Sequence, residues 1–199
     1  MLKMCVLGTH GSAKTSLVYK LAAFYKMKGI NVTVIHETAR KSPFPLNTNV
    51  IPQTTIHVMS LQIQKELEAE AQGFELAISD RSPGDAPIYI HHSGKGNELT
   101  EKMEELAMLW TKTYSVMVYL EPSEDIELIG DGIRAEDKDY QLAIRDDFRV
   151  LINNIKRLHG NDVNIVEAES SQIFDNIECS RLITKIDEVL EKTEVSSIS

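Results

Sequence analysis

The sequence predicts an α/β domain, a mostly parallel β-sheet with helices on both faces. Three observations carry that prediction. Short apolar runs alternate with helical repeats along the chain. The runs are rich in Val, Ile and Leu throughout, as strands covered on both faces are. The first of them leads straight into a glycine-rich turn that opens a helix. With 199 residues, 42% hydrophobic and 26% charged, the chain suits one domain with a real core. That domain is expected over residues 1–192, followed by a polar tail, 193–199, that frays.

Strands are expected at Lys3–Leu7, Val32–Glu37, Glu75–Asp80, Val116–Glu121 and Val163–Glu167. Leu17, Val18, Leu21 and Tyr25 share one face of a helix that Gly29 ends. The same spacing marks helices through Ile56, Met59, Ile63 and Leu67, and through Leu99, Met103, Leu106 and Trp110. Further helices run through Ile144, Phe148, Leu151, Ile155 and Leu158, and through Ile183, Ile186, Val189 and Leu190. Three connections are too rich in Pro, Gly and charge to be plain turns: Ala39–Pro52, Arg81–Gly96 and Pro122–Lys138. All three follow strands, and ligands of open α/β sheets bind at the carboxyl ends of strands. These loops are expected to surround the site.

Several function classes are set aside by composition. No run approaches the roughly 20 apolar residues of a membrane span, and the N-terminal segment reads as a first strand, not a signal peptide. Cys5 and Cys179 match no metal or redox spacing and read as reduced thiols, which fits a cytoplasmic protein. A net charge of −9 indicates no basic groove for nucleic acid. The adjacent pair His91-His92 reads as a solvated loop, since neighbouring histidines point apart and no third ligand has helical spacing.

The decisive segment is Gly8-Thr9-His10-Gly11-Ser12-Ala13-Lys14-Thr15, set between strand and helix as a phosphate-binding loop requires. Glycines let successive amides turn toward phosphate oxygens, and the helix N-terminus adds partial positive charge. Lys14 is placed to bridge the β- and γ-phosphates of ATP, and the Thr15 hydroxyl to ligate Mg²⁺. The nucleotide-contacting set is Gly8, His10, Gly11, Ser12, Ala13, Lys14, Thr15 and Ser16, with His10 facing solvent or a phosphate. Ala13 stands where Gly is usual and is expected to be tolerated, Gly11 leaving a second flexible point.

Asp80, at the tip of the third strand, is either a second Mg²⁺ ligand through water or a cap on its own turn. Arg81 beside it reads as a clamp for phosphate or substrate, or as a surface side chain. Glu37 ends the second strand and is the candidate base for an attacking hydroxyl, or a partner for Arg40. Phe44, in the loop that follows, lines a pocket or covers the core. The stretch around 123–139 is a candidate lid in which Arg134 reaches the transferring phosphate, with Arg145 and Arg149 behind it.

These segments, in this order over residues 3–168, resemble the P-loop nucleoside and nucleotide kinases, most closely the NadR-type and thymidylate-kinase-like branch. The resemblance implies a five-stranded parallel sheet of order 2-3-1-4-5 with ATP and Mg²⁺ as cofactors. It also implies Glu37 as base, Arg81 as a substrate contact and Arg134 as lid arginine; Arg40, beside Glu37, is a further candidate substrate contact. His36-Glu37-Thr38-Ala39-Arg40 replaces the Arg-Glu-Pro-Gly of true thymidylate kinases, so the acceptor implied is a nucleoside, nucleotide or other small hydroxyl compound. Similar kinases of viruses act on hydroxymethyl pyrimidines, free or in DNA, which keeps that acceptor open. A homodimer is an open expectation. A regulatory ATPase without an acceptor is the competing class, and a guanine-nucleotide switch is disfavoured because Val116–Pro122 has no Asn-Lys-x-Asp stretch.

Overall fold

Strands and helices alternate through residues 1–123 and 138–198, the portion that the computed structural model describes, leaving aside the side chains of residues 161 and 194–198. The strands are β1 Leu2–Leu7, β2 Val32–Ile35, β3 Leu76–Asp80, β4 Val116–Glu121 and β5 Ile165–Glu169. The main helices are α1 Lys14–Met27, α2 Pro52–Ala71, α3 Asp85–His92, α4 Glu98–Trp110, α5 Lys138–His159 and α6 Asn176–Ile198. The five strands form one sheet in the order β2-β3-β1-β4-β5, and every pairing is parallel. This is the expected fold class and strand order.

Parallel strands are joined by crossovers, so helices cover both faces and the strand interior is apolar on each. Along β1 the side chains alternate between two cores. Met4 and Val6 join Leu17, Leu21 and Tyr25 of α1 and Leu182, Ile186 and Leu190 of α6. Cys5 and Leu7 face the other way, onto Ile144, Phe148, Ile152 and Ile155 of α5. Both cysteines are free and buried.

Several boundaries differ from the sequence expectation, and β5 lies two residues further on than expected, at Ile165–Glu169. β2 stops at Ile35, leaving Glu37 two residues beyond the strand. Part of the Arg81–Gly96 connection is the helix α3, whose Asp85 accepts from the Ser82 amide at 2.9 Å and so anchors the first turn. α6 runs to Ile198, through the stretch read as a frayed tail; Glu194-Val195-Ser196-Ser197 holds no Gly or Pro to stop a helix already nucleated by packing. Among the described residues no helix is long and apolar enough to cross a membrane.

The apolar spacing that marks α2 does not by itself give its buried face. Ile56 and Ile63 of α2 are only partly buried and Leu67 is half exposed, whereas Thr55, Met59, Gln62, Glu66 and Ala69 face inward. The reason is a polar cluster. The buried carboxylate of Glu66 accepts from Lys3 Nζ at 3.0 Å, Gln62 Nε2 at 3.0 Å, Trp110 Nε1 at 2.8 Å and the Tyr114 hydroxyl at 2.5 Å. The Lys3 ammonium lies 4.6 Å from the centre of the Trp110 ring. A buried charge is tolerated only when paired and fully hydrogen-bonded, and this one ties β1, α2, α4 and the turn after α4 together. α4 is turned likewise, burying Thr100 and Ala107 and leaving Leu99, Leu106 and Leu109 exposed.

Replacing Glu66 with Ala should lower the unfolding free energy by about 3–5 kcal/mol, because Lys3 is then buried without a counter-charge. Urea denaturation measures this. A Lys3→Met, Glu66→Leu double variant should recover most of the loss, as apolar replacement of a buried pair often does.

Candidate active site

The carboxyl ends of β1, β3 and β4 meet at the turn Gly8–Ala13 and the start of α1. Gly8 has φ of 143°, and a β-carbon there would lie 2.3 Å from the Leu120 carbonyl oxygen, so no side chain is admitted. Gly11 (φ 73°) and Ala13 (φ 57°) are both left-handed. Ala13 is therefore strained: an L-residue in this region loses on the order of 1–2 kcal/mol. It occupies the N-cap position of α1 and makes no side-chain cap. Ser12 Oγ supplies a local bond instead, donating to the Thr9 carbonyl at 2.9 Å.

Lys14 opens α1 and is folded over this loop. Its Nζ donates to the Thr9 carbonyl oxygen at 2.5 Å and lies 3.4 Å from Ser12 Oγ. Burial, and next the Arg81 guanidinium, pull its pKa down to about 7, against the Asp80, Glu37 and Asp85 carboxylates. One residue on, Thr15 Oγ1 donates to Asp80 Oδ2 at 2.5 Å. A hydroxyl and a carboxylate oxygen thus converge at the head of α1. Hard oxygen donors of this kind suit Mg²⁺, which takes few protein ligands and leaves the others to phosphate and water. Ser16, the next residue, is exposed on α1.

Arg81 is the hub of the neighbouring cleft. It is buried, and its φ of 94° puts a non-glycine residue in a sparsely populated region, of the kind that clusters at functional sites. Its Nε donates to Glu37 Oε1 at 2.6 Å, while Nη1 lies 3.3 Å from Asp85 Oδ2 and 3.4 Å from the Tyr89 hydroxyl. Glu37 Oε2 accepts from Arg40 Nε at 3.0 Å. Asp85 Oδ1 accepts from the Ser82 amide at 2.9 Å and the Ser82 hydroxyl at 2.8 Å. Burial raises the Asp85 carboxyl above its ordinary value, against the Arg81 guanidinium and the Ser82 bonds.

A cleft open to solvent lies beside these groups. His10, Glu37, Arg40, Arg81 and Asp85 are its ionisable lining beside the Tyr89 phenol, Thr54, Thr55 and Asn47 add neutral polar groups, and Leu46, Val50, Val58 and Ala86 are apolar. The structure thus brings Lys14, Thr15 and Asp80 together at the head of α1, and Glu37, Arg40 and Arg81 together in the adjacent cleft. Phe44 is outside the cleft lining and packs edge-on against His57, with ring centres 5.9 Å apart; Leu46 and Val50 of the same loop line the cleft instead. Arg134 lies outside the described residues, as does most of the 123–139 lid. Arg145 pairs with Asp146, and Arg149 with Asp146 and Glu121. The histidine pair ends helix α3 and is not in a loop as expected; its two rings diverge, His91 onto Glu104 and His92 onto Asp147.

Two residues of the site were invisible to sequence reasoning. Asp85 sits inside a stretch that read as loop, and only α3 turns it toward Arg81. Gln141 of α5 donates from Nε2 to the His10 carbonyl at 2.7 Å, and its own carbonyl accepts from Thr9 Oγ1 at 3.3 Å. A peptide plane is rigid, so holding the His10 carbonyl on Gln141 fixes the direction of the Gly11 amide. His10 itself is buried against Tyr140, ring centres 5.5 Å apart, and does not face solvent. The only signal for Gln141 in the sequence was its place at the start of the helix marked by Ile144 and Phe148.

Relief of the strain should make Ala13→Gly more stable by about 1 kcal/mol, a rise of roughly 2–4 °C in melting temperature by calorimetry. Binding of a polyphosphate should raise the Lys14 pKa again, so association takes up a proton above pH about 7. Affinity for magnesium nucleotide should then weaken as pH rises through that value. Titration calorimetry in buffers of different ionisation enthalpy should report proton uptake.

Comparison with known proteins agrees with this architecture. A family model described as an AAA domain matches residues 3–172. No curated protein sequence matches the chain. Among solved structures, thymidylate kinase from Candida albicans is similar with a TM-score of 0.65, over 97% of this chain and 92% of that one, at 13% identity. An identity that low speaks to fold alone. With the family model spanning most of the chain and the sheet order in agreement, the protein belongs to the AAA-domain family and has the fold of a P-loop nucleotide kinase.

Proposed function

We propose that the protein is an ATP-dependent phosphotransferase that moves the γ-phosphoryl group to a hydroxyl of a small acceptor bound in the Arg81 cleft. The observation that carries this reading is the convergence of Lys14, Thr15 and Asp80 at the loop beside a separate, lined cleft. A switch or hydrolase needs the first part and not the second.

In this reading the amides of residues 8–15 and the Lys14 ammonium hold the β- and γ-phosphates. Thr15 and Asp80 would hold Mg²⁺, which supplies charge neutralisation on the phosphate oxygens. Arg40 and Arg81 contact the acceptor. The acceptor oxygen attacks the γ-phosphorus, the bond from that phosphorus to the bridging oxygen breaks, and ADP leaves. The hydroxyl proton passes to Glu37. Two guanidiniums hold that carboxylate in place, Arg40 on one oxygen and Arg81 on the other. Arg134 is assigned to the transferring phosphate when the lid segment approaches.

The test is ADP release from Mg·ATP with a panel of nucleosides, nucleotides and small alcohols. At least one acceptor should stimulate release, with one phosphorylated product formed per ADP; release that no acceptor stimulates would support a regulatory ATPase instead. Lys14→Ala should abolish transfer. Glu37→Gln should lower kcat by about 100-fold or more, the scale of general base catalysis, while nucleotide affinity is retained. Full transfer in Glu37→Gln would remove the base assignment.

A further inference from the structure

Taking the phosphotransferase reading as given, we propose that the acceptor enters the cleft uncharged, as a hydroxyl compound of nucleoside type carrying no phosphate. The Asp85 carboxylate is the residue that excludes its phosphorylated counterpart.

The charged side chains on the described lining of the cleft are two carboxylates, Glu37 and Asp85, and two guanidiniums, Arg40 and Arg81. They are paired with one another. Arg81 reaches Glu37 at 2.6 Å and Asp85 at 3.3 Å, and Arg40 reaches Glu37 at 3.0 Å. The lining therefore offers no surplus of positive charge. Its remaining titratable groups are His10, buried against Tyr140, and the phenol of Tyr89, which burial pushes up and so keeps neutral.

A phosphate entering here meets only the two guanidiniums that already balance Glu37 and Asp85, with no further cation on the described lining. Its entry places a dianion beside the buried Asp85 carboxylate and the partly buried Glu37 carboxylate, and like charges brought together in a binding site are strongly unfavourable. Asp85 is the less adaptable of the two. It is only 3% exposed, and its other oxygen is held by the amide and hydroxyl of Ser82. Glu37 stands in the irregular segment between β2 and the 39–41 turn.

The rest of the lining favours an uncharged partner. Leu46, Val50, Val58 and Ala86 provide an apolar wall. Thr55, on the same wall, is buried, and its hydroxyl makes no hydrogen bond among the described residues. Its neighbour Thr54 spends its own hydroxyl on the Pro45 carbonyl at 2.8 Å. An apolar surface with a spare neutral hydrogen-bonding group suits a ring with a polar edge, not a second phosphate.

Matched pairs test this: each common nucleoside against its 5′-monophosphate, assayed with Mg·ATP by ADP release and product identification. For the wild type, kcat/KM for the uncharged member of the best pair should exceed that for the phosphorylated member by about 100-fold, the rate equivalent of one like-charge clash. Asp85→Asn retains an oxygen to accept from Ser82 and removes the charge. Its preference should narrow by about tenfold or more, with an absolute gain on the monophosphate, which a merely weakened fold does not produce. A wild type that prefers monophosphates overturns the proposal without reference to any variant. An unchanged ratio in a folded Asp85→Asn protein overturns the role of Asp85. Should neither member of any pair stimulate ADP release while Mg·ATP binds, the phosphotransferase reading itself fails, and this inference with it.

Discussion

Parallel pairing of β1 with β3 is the constraint on which the site depends. It sets Val6 level with Asp80, so the carboxylate at the tip of β3 stands beside the turn that ends β1. The turn is short and opens α1 at once, and so Thr15 meets Asp80 at hydrogen-bonding distance. β4 on the other side of β1 brings the Leu120 carbonyl against Gly8 and closes the turn from below. None of these contacts requires the loop to find its own shape. Two flanking strands and a helix impose it, which accounts for the toleration of a left-handed alanine at position 13.

Arg81 extends the same logic one residue further. Its amide donates to the Val6 carbonyl at 3.0 Å, continuing the β1–β3 ladder, so the backbone cannot relax its positive φ without losing that bond. The side chain is thereby aimed into the protein, where two carboxylates and a phenol receive it. A buried guanidinium needs such an environment, and its carboxylates come from segments far apart in sequence, after β2 and at the start of α3. The phosphate loop and the neighbouring cleft are thus parts of one structure, joined at the Asp80-Arg81 peptide.

Stability and the cleft are linked through α2. Its 20 residues span roughly 30 Å at 1.5 Å per residue. The first turns carry Thr54, Thr55 and Val58 to the cleft wall, and the far half carries Glu66 to Lys3 near the start of β1. A polar anchor at one end of a rigid helix sets its rotation, and that rotation decides which side chains the other end presents. Placing a charged residue on the inner face of a helix is costly unless every partner is present, and here four donors from β1, α2, α4 and the following turn are.

By itself the sequence determined the alternation of five strands with helices and the phosphate loop, because both rest on local regularities. Apolar runs of strand length and the glycine spacing before Lys14 are readable one segment at a time. The pairing of Asp80 with the loop was foreseeable for the same reason, since each half sits at a strand tip. The apolar spacing that marked α2 and α4 did not say which face is interior: Ile56 is only partly buried, Leu67, Leu99 and Leu106 are exposed, and Glu66 is buried. Only tertiary structure could decide that, because a glutamate becomes an interior residue when Lys3, Gln62, Trp110 and Tyr114 arrive from elsewhere to satisfy it. Asp85 and Gln141 were hidden on the same ground: each acts on the site through a partner distant in the chain or through a helix not seen in the sequence, and hydrogen bonds of that kind leave no periodic trace.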